Sequence, residues 1–137
     1  MSDGRDEFKY GKRHHRWSLA AWFDKFRCAF RGWWIGSLSQ TSFGVHYLVG
    51  FAVIGLAFLL RCETHEWGLL ILSIGLVWMT ELMNSAIEAL SRAVSKDYNP
   101  HIRDALDIAS GAVLVMSLGV AVIGCIIFIP KLLALIS

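Results

Sequence analysis

The chain has 137 residues, 55% of them hydrophobic and 18% charged, with a formal net charge of +2. That length suits one compact domain, and the composition is too apolar for an ordinary soluble one of this size. The excess of positive charge is too small, and too clustered near apolar runs, to suggest a nucleic-acid partner.

Residues 1–17 are polar and basic, with Arg5, Lys9, Lys12, Arg13 and Arg16. They read as a solvated cytoplasmic tail attracted to anionic lipid. His14 and His15 are adjacent and could bind a metal, but a pair of histidines on a tail is more simply solvated. A surface helix is expected over 18–36, with Ser18 as its N-cap. Leu19, Trp22, Phe23, Phe26, Phe30, Trp33 and Trp34 share one arc at 100° per residue, and Asp24, Lys25, Arg27 and Arg31 lie across from it. An amphipathic helix of this kind lies in the membrane interface with its aromatic rings among the head groups. Gly36 and the polar stretch from Ser37 to Ser42 should end it.

Three apolar blocks follow. Phe43–Leu60 and Ile108–Pro130 contain no Asp, Glu, Lys or Arg, and Trp67–Leu90 is interrupted only by Glu81 and Glu88. About 20 apolar residues in helix cross a bilayer core, so transmembrane helices are expected at about 43–61, 66–90 and 107–130. The fold class is therefore all-α membrane protein, with residues 18–137 as a single membrane domain. The first 42 residues hold no uninterrupted apolar run of signal-peptide type, and the first block reads as a retained span.

Eight lysines and arginines precede residue 43 and three lie in 91–107, against Arg61 and Lys131 on the opposite side. The positive-inside rule puts the N-terminus and the 91–107 connection in the cytoplasm. Cys28, Cys62 and Cys125 then fall in three different environments, which argues against a disulfide within the chain. No Cys/His cluster has zinc spacing. A chain this small buries little surface, so a homo-oligomer is expected.

The exception to the apolar pattern carries the chemistry. In "ELMNSAIEAL", Glu81, Asn84, Ser85 and Glu88 recur at i, i+3, i+4 and i+7 and so form one stripe of the second span. A charged side chain at the bilayer centre costs about 2.5–3.5 kcal/mol on insertion scales, and such residues usually mark function. Three readings stand side by side. Glu88 could lie at the interface and snorkel toward Arg92, one turn away. The polar set could be hydrogen-bonding glue between helices. Or the stripe could line a catalytic pocket, where one carboxylate holds Mg²⁺ against phosphates and a buried one acts as general base on an alcohol. Asp107 opens the third span from the same side and can face Glu88.

"ELMNSAIEAL" followed by "RDALDIASGAVLV" resembles the prokaryotic diacylglycerol kinase family, which includes undecaprenol kinases. The family pattern reads roughly E-x-x-N-[ST]-A-[IL]-E, then A-K-D-x-x-[SA]-[AG]-A-V about fifteen residues on. The likeness runs over residues 18–130 and takes in "FRCAFRG" of the surface helix and the F-x-x-H of Phe43 and His46. It implies a homotrimer in the bacterial inner membrane that transfers the γ-phosphoryl group of ATP to a lipid alcohol, diacylglycerol or undecaprenol. On that resemblance Glu81 is the general base and also meets the substrate with Ser85 and Trp33. Asn84 and Asp107 would contact the nucleotide, and Glu88 would bind Mg²⁺ and so the phosphates; where this chain departs from the family, Gln40 is expected as a neutral, weaker Mg²⁺ donor and Arg103 as a further nucleotide contact. No P-loop pattern is present, so positioning and metal charge must do its work.

Two positions depart from the family pattern. Gln40, in "QTSF", stands where the family has a metal-binding Glu. Leu106, in "ALD", stands where it has the phosphate-contacting Lys. One negative and one positive charge are lost together. Arg103, about one turn before Leu106, could supply the missing cation. The departures also admit a catalytically impaired relative that binds lipid or nucleotide without transferring phosphate.

Overall fold

The computed structural model describes residues 19–38 and 41–136. The basic tail, the Ser18 cap and Gln40 lie outside the described residues. Four helices follow in order: α1 (Leu19–Leu38), α2 (Thr41–Leu59), α3 (Thr64–Val94) and α4 (Pro100–Ile136). No strand occurs among the described residues. By length and composition α3 and α4 can each cross a membrane, and a third span is counted when α1 and α2 are taken together.

The chain divides into two units between Trp33 and Trp34. In the first, residues 19–33 of α1 expose Leu19, Trp22, Phe23, Phe26 and Phe30. Trp22 packs against Phe26 one turn on, with ring centroids 6.2 Å apart. Lys25 Nζ lies 5.3 Å from the Trp22 ring centroid, a cation–π distance. Arg27 pairs with Asp24 at 3.7 Å.

The second unit holds the end of α1 with α2, α3 and α4. Here α3 packs most extensively on α4 and less so on α2. The turn between α2 and α3 is built by a Schellman motif. Cys62 N–H donates to the Ala57 carbonyl at 3.0 Å and Arg61 N–H to the Phe58 carbonyl at 3.2 Å. Arg61 takes the left-handed conformation (φ 50°) that this motif requires and that glycine usually supplies. Glu63 then caps α3, and its N–H donates to the Glu66 carboxylate at 2.6 Å, one half of a capping box. Under this turn lies an apolar cluster of Ala57, Leu60, Leu70, Ile127 and Phe128. Lys131 Nζ closes the same end with a 2.9 Å ion pair to Glu66.

The helices overrun the expected spans. The helix of the third expected span, α4, begins at Pro100, seven residues before the expected 107. Asn99 Oδ1 accepts hydrogen bonds from the N–H groups of His101 at 2.9 Å and Ile102 at 3.4 Å. The Asn-Pro pair is thus a helix start, an N-cap with proline at N1, rather than a free turn. At the far end α4 continues past Pro130 to Ile136. Proline removes one helical donor, a loss that membrane helices tolerate. Near the other end of the unit, Gly36 meets α3 so closely that a Cβ there would lie 2.6 Å from Leu82 Cδ2.

Candidate active site

The stripe on α3 faces inward. Glu81, Asn84 and Ser85 are buried, at 2%, 6% and 4% exposure, although α3 as a whole carries many exposed apolar side chains. Burying a carboxylate, an amide and a hydroxyl on consecutive turns is costly unless each finds partners.

Those partners can be followed along the stripe. His46, on α2, brings Nε2 to 4.0 Å from Glu81 Oε2. Asn84 donates from Nδ2 to Glu88 Oε1 at 3.1 Å, one turn later. Glu88 Oε2 lies 3.5 Å from the Arg92 guanidinium, and the Glu88 side chain is 30% exposed. The snorkelling geometry considered for Glu88 is therefore present, together with a bond back into the stripe that snorkelling alone does not require. Two polar atoms remain over. Asn84 Oδ1 and Ser85 Oγ are buried with no hydrogen-bond partner among the described residues. By contrast, Thr80 spends its hydroxyl on the Leu76 carbonyl at 2.7 Å, and Ser91 donates to the Glu88 carbonyl at 2.8 Å.

The stripe thus grades from a fully buried acid at Glu81 to a half-exposed acid at Glu88. An orphaned amide oxygen and hydroxyl lie between them. That sequence of groups can take a proton at one end and meet a polar, charged ligand at the other.

Arg103 and Asp107 are joined to each other, Nε to Oδ2 at 3.8 Å across one turn of α4, and both side chains are largely exposed. Leu106 between them is half-buried, and its carbonyl accepts from Ser110 Oγ at 3.0 Å. Trp33 is exposed and belongs to the first unit.

His46 was missed as a site residue when the sequence was read by periodicity. The available signal was its place one turn after Phe43 in a span otherwise without ionisable groups beyond Tyr47. Its helix is fixed against α3 by a small polar-aromatic chain. Ser37 Oγ and Tyr47 Oη hydrogen-bond at 2.8 Å, and the Tyr47 ring meets Trp78 edge-on at 4.7 Å. Phe43, wholly buried, packs on Tyr47 with ring centroids 5.4 Å apart.

His46 also lines an apolar cavity of about 470 Å³ between α2, α3 and α4, with Gly50, Val77, Trp78, Ser117 and Phe128 among its other walls. Apolar helices enclosing such a cavity beside a buried acid define a helical membrane protein with a polar site set into its hydrophobic span. The sequence profile of prokaryotic diacylglycerol kinase matches residues 27–128. An undecaprenol kinase of Bacillus subtilis (strain 168) is 34% identical over 120 residues, which cover 88% of this chain and 98% of that protein. A diacylglycerol kinase of Synechocystis sp. is 33% identical over 125 residues, covering 90% of this chain and 71% of that protein. The chain belongs to the prokaryotic diacylglycerol kinase family, and its enzyme class is that of a lipid kinase.

Proposed function

We propose that this chain transfers the γ-phosphoryl group of ATP to the hydroxyl of a membrane lipid alcohol, undecaprenol or diacylglycerol. The observation that carries the reading is Glu81, a carboxylate 2% exposed on an apolar helix and within reach of a histidine. Its role is general base. The alcohol O–H bond breaks as the proton passes to Glu81, and the freed oxygen pair attacks the γ-phosphorus. The bond from that phosphorus to the ADP oxygen breaks in turn, leaving lipid phosphate and ADP. Asn84 and Ser85, with their unspent polar atoms, are suited to hydrogen-bond the substrates.

The donor set also suits Mg²⁺. Glu88 offers a half-exposed carboxylate and Asn84 an unpartnered carbonyl oxygen. Among the described residues no three His, Cys, Asp or Glu are grouped to hold an ion by themselves. Magnesium commonly takes one or two carboxylates and completes its shell with water and substrate phosphates, a mode that Glu88 can serve. When bound, the ion would offset charge on the phosphate oxygens. Gln40 would add a neutral oxygen donor, and Arg103 with Asp107 would meet the nucleotide.

The reading extends to a homotrimer in the bacterial inner membrane with the N-terminus in the cytoplasm and residues 18–137 as one membrane domain. The Lys/Arg asymmetry supports the orientation. The small interior supports association, since Phe43 and Glu81 are the largest fully buried side chains. The aromatic arc of α1, including Trp33, would lie in the interface and meet the lipid. A second reading, a relative that binds without phosphoryl transfer, is favoured by Leu106, a half-buried aliphatic side chain at the position of a phosphate-binding lysine.

The deciding experiment is transfer of radiolabelled γ-phosphate by the purified, folded protein to diacylglycerol, undecaprenol and ceramide. Labelled lipid is expected with at least one of the first two. No label in any lipid would establish the second reading instead.

A further inference from the structure

We propose that His46 is a positioning residue for Glu81, holding the buried carboxylate so that one oxygen is turned to the hydroxyl of a lipid arriving through the apolar cavity. This rests on the lipid-kinase reading and assigns a function to a residue that the stripe on α3 does not contain.

Three observations converge on it. The first is distance. His46 Nε2 stands 4.0 Å from Glu81 Oε2, within ion-pair reach and about one ångström beyond a hydrogen bond. Catalytic contacts are often long without substrate and tighten when it binds. The second is burial. The histidine side chain is 21% exposed and the glutamate 2%, so their interaction is little screened by water. The third is connection to the cavity. His46 is part of the cavity wall, while Val77 and Trp78, one turn before Glu81, form the wall on α3. The other residues of that wall are aliphatic or aromatic, apart from two glycines, Ser73, Ser117 and Cys125. An apolar chain lodged there would bring a terminal hydroxyl toward His46 and the Glu81 beside it.

The chemistry needs no titration of the imidazole. A neutral histidine with its proton on Nε2 donates one hydrogen bond and carries no net charge. Donated to one oxygen of Glu81, it orients the carboxylate toward the proton it accepts. It also fixes the carboxylate plane against rotation, and a misplacement of about 1 Å at such a group can cost on the order of a hundredfold in rate. Tyr47, the next residue, points its hydroxyl to Ser37. The α2 backbone that carries His46 is thereby fixed from the other side.

Two measurements on the full-length protein in lipid bilayers or micelles test this. The first compares His46→Gln, which keeps an N–H donor near the Nε2 position, with His46→Phe, which fills the same space without one. The expected result is that His46→Phe lowers kcat for the lipid on the order of ten- to a hundredfold with KM for ATP unchanged, and that His46→Gln recovers most of the loss. Equal activity of the two variants would mean that His46 only fills space, and would overturn the proposal. The second uses ¹⁵N-histidine NMR and needs no turnover. The His46 imidazole signals, assigned by their loss in His46→Gln, should shift in Glu81→Gln. Unchanged signals would overturn the proposal even in an active enzyme. If the signals shift while the wild type phosphorylates no lipid, the coupling stands and the lipid-kinase reading fails.

Discussion

Asn84 gives an amide hydrogen to Glu88 at 3.1 Å and leaves its own carbonyl oxygen buried without a partner among the described residues. A residue selected for packing alone would not hold an unsatisfied acceptor, because such a group costs about 1–3 kcal/mol. Asn84→Leu removes the orphan at similar volume. The expected outcome is an unfolding midpoint in detergent equal to or above wild type, with phosphoryl transfer lower by about a hundredfold. Thermal unfolding and steady-state kinetics on the same sample check it. A less stable but fully active variant would return Asn84 to the role of interhelical glue.

The two glutamates should fail in different ways. Glu81→Gln is expected to abolish turnover while Mg-ATP binding stays nearly intact, since a lost base is felt only in the transition state. Glu88→Gln is expected to raise the Mg²⁺ concentration needed for half-maximal rate. Turnover titrated with Mg²⁺, beside equilibrium nucleotide binding, separates the two. Near-normal turnover in Glu81→Gln would end its assignment as base.

The ion pair of Lys131 with Glu66 makes a prediction about stability only. Glu66→Gln keeps an oxygen to accept the Glu63 N–H but loses the attraction to Lys131. It should lower the unfolding midpoint and leave kcat unchanged, and the charge-reversed pair Glu66→Lys with Lys131→Glu should recover part of the midpoint. Circular-dichroism melting of the wild type and the two variants provides the readout.

Gln40 and Leu106 predict coupling. On the proposed reading, Gln40→Glu alone adds an acid to a site already holding Glu81, Glu88 and Asp107, and Leu106→Lys alone adds a cation that Asp107 can neutralise. Together they restore both family charges at constant net charge. The expected coupling is positive, about 1–3 kcal/mol in the activation barrier, as for groups sharing one network. A double-mutant cycle on kcat/KM for ATP measures it. Additive effects would mean that phosphate is held another way, with Arg103, now paired to Asp107 at 3.8 Å, the first residue to change.

Much of this was legible in the sequence because membrane helices announce themselves by composition. The absence of charge from Phe43 to Leu60 and the helical spacing of Glu81, Asn84 and Ser85 were enough to expect a helix and a single buried stripe. The ends of the helices were not legible in the same way. Apolar content marks where the bilayer core stops, whereas α3 and α4 stop where their backbone groups run out of partners. An Asn-Pro pair is by composition a turn signal, whereas the side-chain bonds of Asn99 make it the cap and Pro100 the first residue of α4. The site divided along a similar line. Spacing within one helix is visible in one dimension, so the α3 stripe could be read directly. His46 approaches Glu81 from another helix, and no periodicity reports a contact between two segments 35 positions apart.

One further consequence follows from where the packing is concentrated. The Schellman turn at Arg61, the apolar cluster beneath it and the Lys131–Glu66 ion pair all grip the same end of α2, α3 and α4. The far end has the polar groups and the unspent hydrogen-bonding atoms, and the cavity runs from His46 to Leu70 and Phe128 of the cluster. Parting helices is cheapest where the fewest apolar contacts must be given up. The turn end is thus where α2, α3 and α4 are held together by apolar burial and an ion pair, whereas near Glu81 the α2–α3 contact runs through the Ser37–Tyr47–Trp78 chain and Phe43.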